Sequence, residues 1–287
     1  MQFLYSGLTS GSIYGLVALG FNIIYNTTGI VNFAQGEFVM IGGMLIYTLF
    51  ALMGLPFGVA FIGAIVGAFI LGFLFERVFI NLCRYKTDLN LITVTIAASI
   101  IIRDLAMHFW GRDSLPVGEF VPVMNIQMPG GVISSQSLLV IVVALAVALS
   151  LNFFLKKSRY GKAMRASFDD QTAAESCGIN VKNIRIMSFA VASTLGAVAG
   201  VIISPITFAT YDDGIMMGLK GFAAAILGGM GNFGAAIAGG LLLGVFESFS
   251  ASVFPSGYKD AVAFIVILLI LFVKPDGLFG KKKVHRV

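Results

Sequence analysis

The chain has 287 residues, 58% of them apolar and only 11% charged, with a mean hydropathy of +0.94; an average soluble domain carries about 25% charged residues. Nineteen Lys and Arg with fourteen Asp and Glu cannot coat a soluble fold of this size, so lipid must cover most of it. The net charge of +5 does not point to nucleic acid, because the basic residues sit in short segments between apolar runs, as membrane topology requires. The apolar stretches are long runs, not the short alternating segments of an outer-membrane barrel, and a spanning backbone must satisfy its own hydrogen bonds, so helices are expected throughout.

In chain order, Met1 to Ser10 lacks a basic region and no Ala-x-Ala type cleavage site follows, so the first apolar stretch is expected to stay as the first span. Spans of about 20 mainly apolar residues are predicted near 4–25, 36–54, 57–79, 91–110, 136–155, 186–210, 221–251 and 258–274. The run 221–251 is too long for one comfortable crossing and carries its own breaker, Gly228-Gly229-Met230-Gly231-Asn232-Phe233-Gly234. The helix break is assigned to Gly228, Gly229, Gly231 and Gly234.

Orientation follows from the basic residues of the short loops. Arg84 and Lys86; Lys156, Lys157, Arg159, Lys162, Arg165, Lys182 and Arg185; and Lys274, Lys281, Lys282, Lys283 and Arg286 mark cytoplasmic segments, with Arg77 at the end of a span. Only Arg103, Arg112, Lys220 and Lys259 fall elsewhere. The chain leaves the cytoplasm after Arg185, is outside near Asp212 and Asp213, and must return to place its basic tail inside, which requires 221–251 to enter and leave as two shorter helices. The same count puts Met1 outside. Cys83 and Cys177 then share the reducing cytoplasmic side, and no disulfide is expected.

At an offset of 185 residues, Gly11, Gly15, Gly29, Gly36 and Gly43 align with Gly196, Gly200, Gly214, Gly221 and Gly228. One copy begins outside and the other inside, the pattern of an inverted repeat with broken helices. The predicted fold class is an all-α polytopic membrane protein with about eight or more transmembrane or re-entrant helices in a single transmembrane domain. Its first repeat region is 1–79 and its second 186–274, with an external loop 111–136, a cytoplasmic loop 156–185 and a basic tail 275–287.

Gly7, Gly11 and Gly15, then Gly196 and Gly200, repeat at four-residue spacing, as do Gly63/Gly67 and Gly240/Gly244, which clears one helix face for close backbone packing. A second reading makes these surfaces slide in a moving transporter. The link Asn26 to Phe38 is unusually polar, and Asn32, Gln35 and Glu37 are candidates for a translocation path, with Thr93, Thr95 and Ser99 of the fourth span. The plainer alternatives are that Glu37 answers a helix dipole and that the hydroxyls bond back to their own carbonyls. Arg103, Asp104 and His108 read as a local ion pair or interfacial group. Glu247 needs a donor that local sequence does not name.

His108 and His285 stand outside any ligand cluster, so no metal site is expected. No GxSxG, HExxH or GxxxxGK[ST] pattern occurs, so no catalytic residue is assigned and any ATP is hydrolysed by another chain. The loop 156–185 reads as a short helix capped by Asp169 or Asp170 and ended by Gly178, either a partner-docking element or a solvated basic connector.

These residues carry a resemblance. Gly11-Ser12-Ile13-Tyr14-Gly15-Leu16, Val31-Asn32-Phe33-Ala34-Gln35-Gly36-Glu37, Glu76-Arg77-Val78, Ala173-Ala174-Glu175 with Gly178-Ile179-Asn180, Ala225-Ile226-Leu227-Gly228-Gly229-Met230-Gly231 and Lys274-Pro275-Asp276-Gly277-Leu278-Phe279-Gly280 resemble, over nearly the whole chain, the LivH-type permease subunits of bacterial branched-chain amino acid ABC importers. Gln35 stands where a His is common in that family. The resemblance implies a multi-pass protein of the bacterial inner membrane, partnered by a LivM-like permease, two cytoplasmic ATPases that use ATP and Mg, and a periplasmic substrate-binding protein; this chain itself binds no cofactor. It further implies that Arg165, Asp169, Asp170, Ala173, Ala174, Glu175, Gly178 and Ile179 form the ATPase-coupling contact, and that the loop Gly111 to Gln136 is an irregular surface receiving the binding protein. Related permeases serve urea and short amides, so substrate class stays open at this point. A stand-alone channel, which has no need of the 156–185 loop, and a proton- or sodium-coupled carrier using Glu37 and Glu247 are the competing classes.

Overall fold

The computed structural model describes residues 1–83, 87–253, 256–275 and 277–280. Arg84, Lys86, Asp276, Lys281, Lys282, Lys283, His285 and Arg286 of the sequence reading lie outside the described residues.

Helix α1 (Gln2–Thr28) ends at Gly29, whose φ of 74° closes the helix in a left-handed turn. A short link leads to α2 (Gln35–Ile46), which continues in π-type turns over Tyr47–Leu52. Then come α3 (Phe57–Phe75), extended likewise over Glu76–Ile80, and α4 (Asp88–Trp110). A two-stranded antiparallel ribbon, β1 (Asn125–Met128) and β2 (Gly131–Ser134), pairs Asn125 with Ser134 and Met128 with Gly131. Next are α5 (Ser135–Lys157), the short helices α6 (Arg159–Asp169) and α7 (Gln171–Ser176), and α8 (Val181–Thr207). The chain closes with α9 (Asp213–Gly228), α10 (Phe233–Val253) and α11 (Lys259–Val273). Among the described residues, seven helices are long and apolar enough to cross a membrane: α1, extended α2, extended α3, α4, α5, α8 and α10.

Helices α1 and α8 form the centre. They run antiparallel: Gln2, Tyr5 and Thr9 of α1 line a cavity with Ile203 and Thr207 of α8, while Thr27 near the other end of α1 bonds Ser188 of α8 at 2.7 Å. Helix α1 packs on α10 and α8 on α3; α1 also contacts α9, as α8 contacts α2. Exchanging α1 with α8, α2 with α9 and α3 with α10 maps these contacts onto themselves, the relation expected of an inverted repeat. Glycine makes the central contacts possible. A side chain at Gly240 or Gly244 would collide with the backbone of Gly15 or Gly11, and one at Gly200 with Val39. Gly196 lies against Phe38 and Gln35, and Gly7 against Val245.

The external loop was expected to be irregular; the structure instead folds part of it into the ribbon. The ribbon is tied to α1, since Tyr5 donates to Pro129 O (3.0 Å) and Gln2 Oε1 accepts from Val132 N (2.8 Å). Phe120 of the same loop stacks on Phe57 at 4.4 Å between ring centres. The opposite end of the molecule carries α6 and α7. The sequence placed one helix there, and the structure shows two, hinged at Asp170, whose side chain accepts from Ala173 N at 3.0 Å and caps α7.

Candidate functional site

Helix α2 begins part-way along the bundle. The link 29–34 turns back so that Gln35 stands beside Gly20 of α1 and donates from Nε2 to Ala192 O of α8 at 2.9 Å. Asn32 orders this link by accepting from Ala34 N at 3.1 Å, and Phe33 N donates to Thr95 Oγ1 of α4 at 3.3 Å. Glu37, in the first turn of α2, lies against Gly214 in the first turn of α9, and Gly36 meets both Gly214 and Gly218. Two helix N-termini therefore meet around one buried carboxylate, where the dipoles favour negative charge.

Asn32, Gln35 and Glu37 are 1%, 0% and 3% exposed, yet Asn32 Nδ2, Gln35 Oε1 and Glu37 Oε2 have no hydrogen-bond partner. Unpaired buried polar atoms are costly and call for a reason. All three hydroxyls of α4 bond back to their own helix, Thr93 to Leu89 O, Thr95 to Ile92 O and Ser99 to Ile96 O, and of these Thr95 also accepts from Phe33 N in the link before α2. Of the two readings given for Arg103 and Asp104, a local ion pair or an interfacial position, the pair is not among the ion pairs of the described residues.

The partner that the sequence could not name for Glu247 is Lys220. Lys220 Nζ of α9 lies 2.9 Å from Glu247 Oε1 of α10 and 2.8 Å from Asp260 Oδ1 of α11, while Tyr14 of α1 donates to Glu247 Oε2 at 2.7 Å. Four helices thus meet at one lysine, so Glu247 is a structural anion held by a cation. Sequence reasoning missed Lys220; its signal was a charge at the edge of an apolar run without a loop around it. A second ion pair joins Arg185 of α8 to fully buried Glu76 at 2.6 Å.

The glycine break is held from two sides. Asn22 Nδ2 donates to Asn232 O (3.1 Å) and Asn26 Nδ2 to Gly231 O (2.9 Å), while Leu278 N and Phe279 N donate to Leu227 O and Gly228 O. Gly229 and Gly231 have φ of 115° and 90°, which side chains disfavour. Gly228 closes α9, whereas Gly234 already lies within α10 and is not part of the break.

At the α6–α7 end, Asp169, Asp170, Ala173, Glu175 and Gly178 are exposed; Ala174 is buried and Ile179 half-buried. The exposed side chain of Arg165 turns back toward α5, donating from Nη2 to Leu155 O at 3.4 Å.

The signature of the family described as "Branched-chain amino acid transport system / permease component" matches residues 3–271. The chain belongs to this permease family. It is 36% identical to the high-affinity branched-chain amino acid transport system permease protein BraD of Pseudomonas aeruginosa, over 100% of this chain and 98% of that one. Identity to LivH of Escherichia coli K12 is 33%, over 100% and 97%, and to the probable LivM of Methanocaldococcus jannaschii 24%, over 95% and 92%. The solved structure of PsaBC from Streptococcus pneumoniae in complex with Fab aligns with a TM-score of 0.53 at 16% identity, covering 96% of this chain and 93% of that one, and so shares the fold. This permease is a multi-pass membrane protein that serves as the translocating component of an ABC transport system.

Proposed function

We propose that this permease carries branched-chain amino acids across a bacterial inner membrane, paired with a LivM-like second permease, fed by a periplasmic binding protein and driven by two cytoplasmic ATPases that hydrolyse Mg-ATP. The observation that carries the coupling half of this reading is the ordered, exposed α6–α7 hairpin. Helix α7 touches α8, with Ala174 buried and Ile179 N donating back to Ala174 O to close the helix, and Asp169, Asp170, Ala173, Glu175 and Gly178 stay exposed for a docking groove. Arg165 supports that surface from behind by holding α6 to α5. A push on α7 reaches α8 through the short link at Gly178, whose φ of 81° sets the turn.

For the cargo, Asn32, Gln35, Glu37 and Thr95 offer a polar stretch beside two helix N-termini. A zwitterion needs groups of both kinds at its charged end: Asn32 Nδ2 is a free donor, and Gln35 Oε1 and Glu37 Oε2 are free acceptors. Separation of α2 from α9 at their glycine contact would bring these groups to the route. The names of BraD and LivH support branched-chain amino acids over urea or short amides as cargo.

The test is a membrane pull-down of tagged protein with mass spectrometry, repeated with Ala173→Asp combined with Gly178→Pro. The expected result is an ATPase and a second permease with the unaltered chain, and selective loss of the ATPase with the variant. Recovery of the chain alone, or only with copies of itself, overturns the importer reading.

A further inference from the structure

At the corner between α5 and α6 the structure encloses a cavity of about 90 Å3. Its wall is mainly apolar, from Ile23, Leu155, Met164 and Phe233; Asn152 and Lys156 of α5 and Arg165 of α6 stand among its lining, and no carboxylate does. The corner is tightly built: Ser158 Oγ accepts from Gly161 N at 3.0 Å, and a side chain at Gly161 would collide with the Leu155 backbone. Among the described residues Lys156 makes no ion pair, and the Arg165 guanidinium commits one donor to Leu155 O, leaving others free. Lys156 and Arg165 are both exposed, so the cavity presents two accessible cations with no carboxylate beside them, a setting that attracts an anion at a membrane surface.

The surroundings indicate which anion. Val142, Leu145, Leu149 and Phe153 form an exposed apolar stripe along α5, 56%, 45%, 67% and 64% exposed. By helical spacing the stripe runs on to Asn152 and Lys156 at the cavity. Lys157 lies over the Phe153 ring at 5.3 Å, as a cation at a membrane boundary does. A free phosphate would use the two cations and ignore the stripe, whereas a phospholipid uses both. The apolar wall suits the glycerol and upper acyl carbons of a lipid, with its phosphate outside at the exposed Lys156 and Arg165.

We propose that the α5–α6 corner is a binding site for an anionic phospholipid, its phosphate held by Lys156, Arg165 and Asn152 and an acyl chain lying along the α5 stripe. Basic pockets between helices on the cytoplasmic side are the usual setting for such headgroups. The bound lipid ties α6 to α5 and so stiffens the base of the hairpin assigned above to ATPase docking. Lipid retention itself does not depend on that assignment, requiring only a membrane-spanning chain.

The test is native mass spectrometry of the detergent-purified complex equilibrated with phosphatidylglycerol or phosphatidylcholine. The expected result is preferential retention of phosphatidylglycerol, lowered about fivefold by Lys156→Gln and by Arg165→Gln and unchanged by Lys157→Gln. Inorganic phosphate should not displace the lipid. Equal retention of both lipids, unchanged retention in both variants, or displacement by inorganic phosphate overturns the proposal, the last assigning the two cations to a soluble anion. If Arg165→Gln fails to assemble, Lys156→Gln and Asn152→Leu decide. Failure of the importer reading would show in the pull-down and leave the lipid count untouched.

Discussion

Helices α1 and α5 both cross the bundle, but they obey opposite rules. The core stretch of α1 is 89% buried and among the least apolar of the seven spans; that of α5 is 28% buried and the most apolar. By burial, α8 sits with α1, and α3 and α4 with α5, although α8 is more apolar than α4, so burial here does not follow hydropathy. In water the apolar helix would be inside. In lipid the acyl chains solvate Leu, Val and Phe as well as protein does, so the centre goes to residues that allow backbones to approach or that need partners: glycine, Ser, Asn, Glu and Lys.

The contrast can be broken most severely at Lys220. Lys220→Met leaves Glu247 and Asp260 near the protein interior without their cation and should cost about 4 kcal/mol, read as loss of folded protein in detergent thermal unfolding. Adding Glu247→Gln and Asp260→Asn should recover most of it, because the neutral triplet has no charge left to compensate. Gly244→Leu, which drives a side chain into the Gly11 backbone, should cost about 3 kcal/mol by overpacking in the same assay. Asn22→Ala removes bonds at both Asn232 O and Gly231 N and should cost about 2 kcal/mol, seen as earlier proteolysis at the glycine break. At the rim, Leu149→Ala should stay within about 0.5 kcal/mol; a larger loss there would mean that α5 packs on protein and not on lipid.

Much of the architecture was legible because it is local. Hydropathy marks the long spans, and the glycine cluster with loop-charge parity marks the α9–α10 break. Asp169 or Asp170 at one end and Gly178 at the other mark a helix, and the structure caps α7 at Asp170. What stayed hidden depends on contacts between residues far apart in the chain. Tyr14, Lys220, Glu247 and Asp260 come from four helices, and no periodicity joins them. The depth of Gln35 depends on a link that turns back into the bundle to reach Ala192, which a polar loop does not announce. Four-residue strands such as β1 and β2 carry too short a pattern to separate from an irregular loop. Thr93 and Thr95 look equivalent in sequence, but a two-residue step puts them on different faces of α4, and only Thr95 reaches the Phe33 amide.

The central claim is tested most directly by uptake of labelled leucine into proteoliposomes holding this permease with its partner permease, with and without the ATPases and the binding protein. The account predicts uptake only when both are present with Mg-ATP on the ATPase side, and none with Ala173→Asp/Gly178→Pro. Uptake down a gradient without the ATPases, or uptake driven by a proton gradient and lost with Glu37→Gln, would contradict it and make the chain a channel or a coupled carrier.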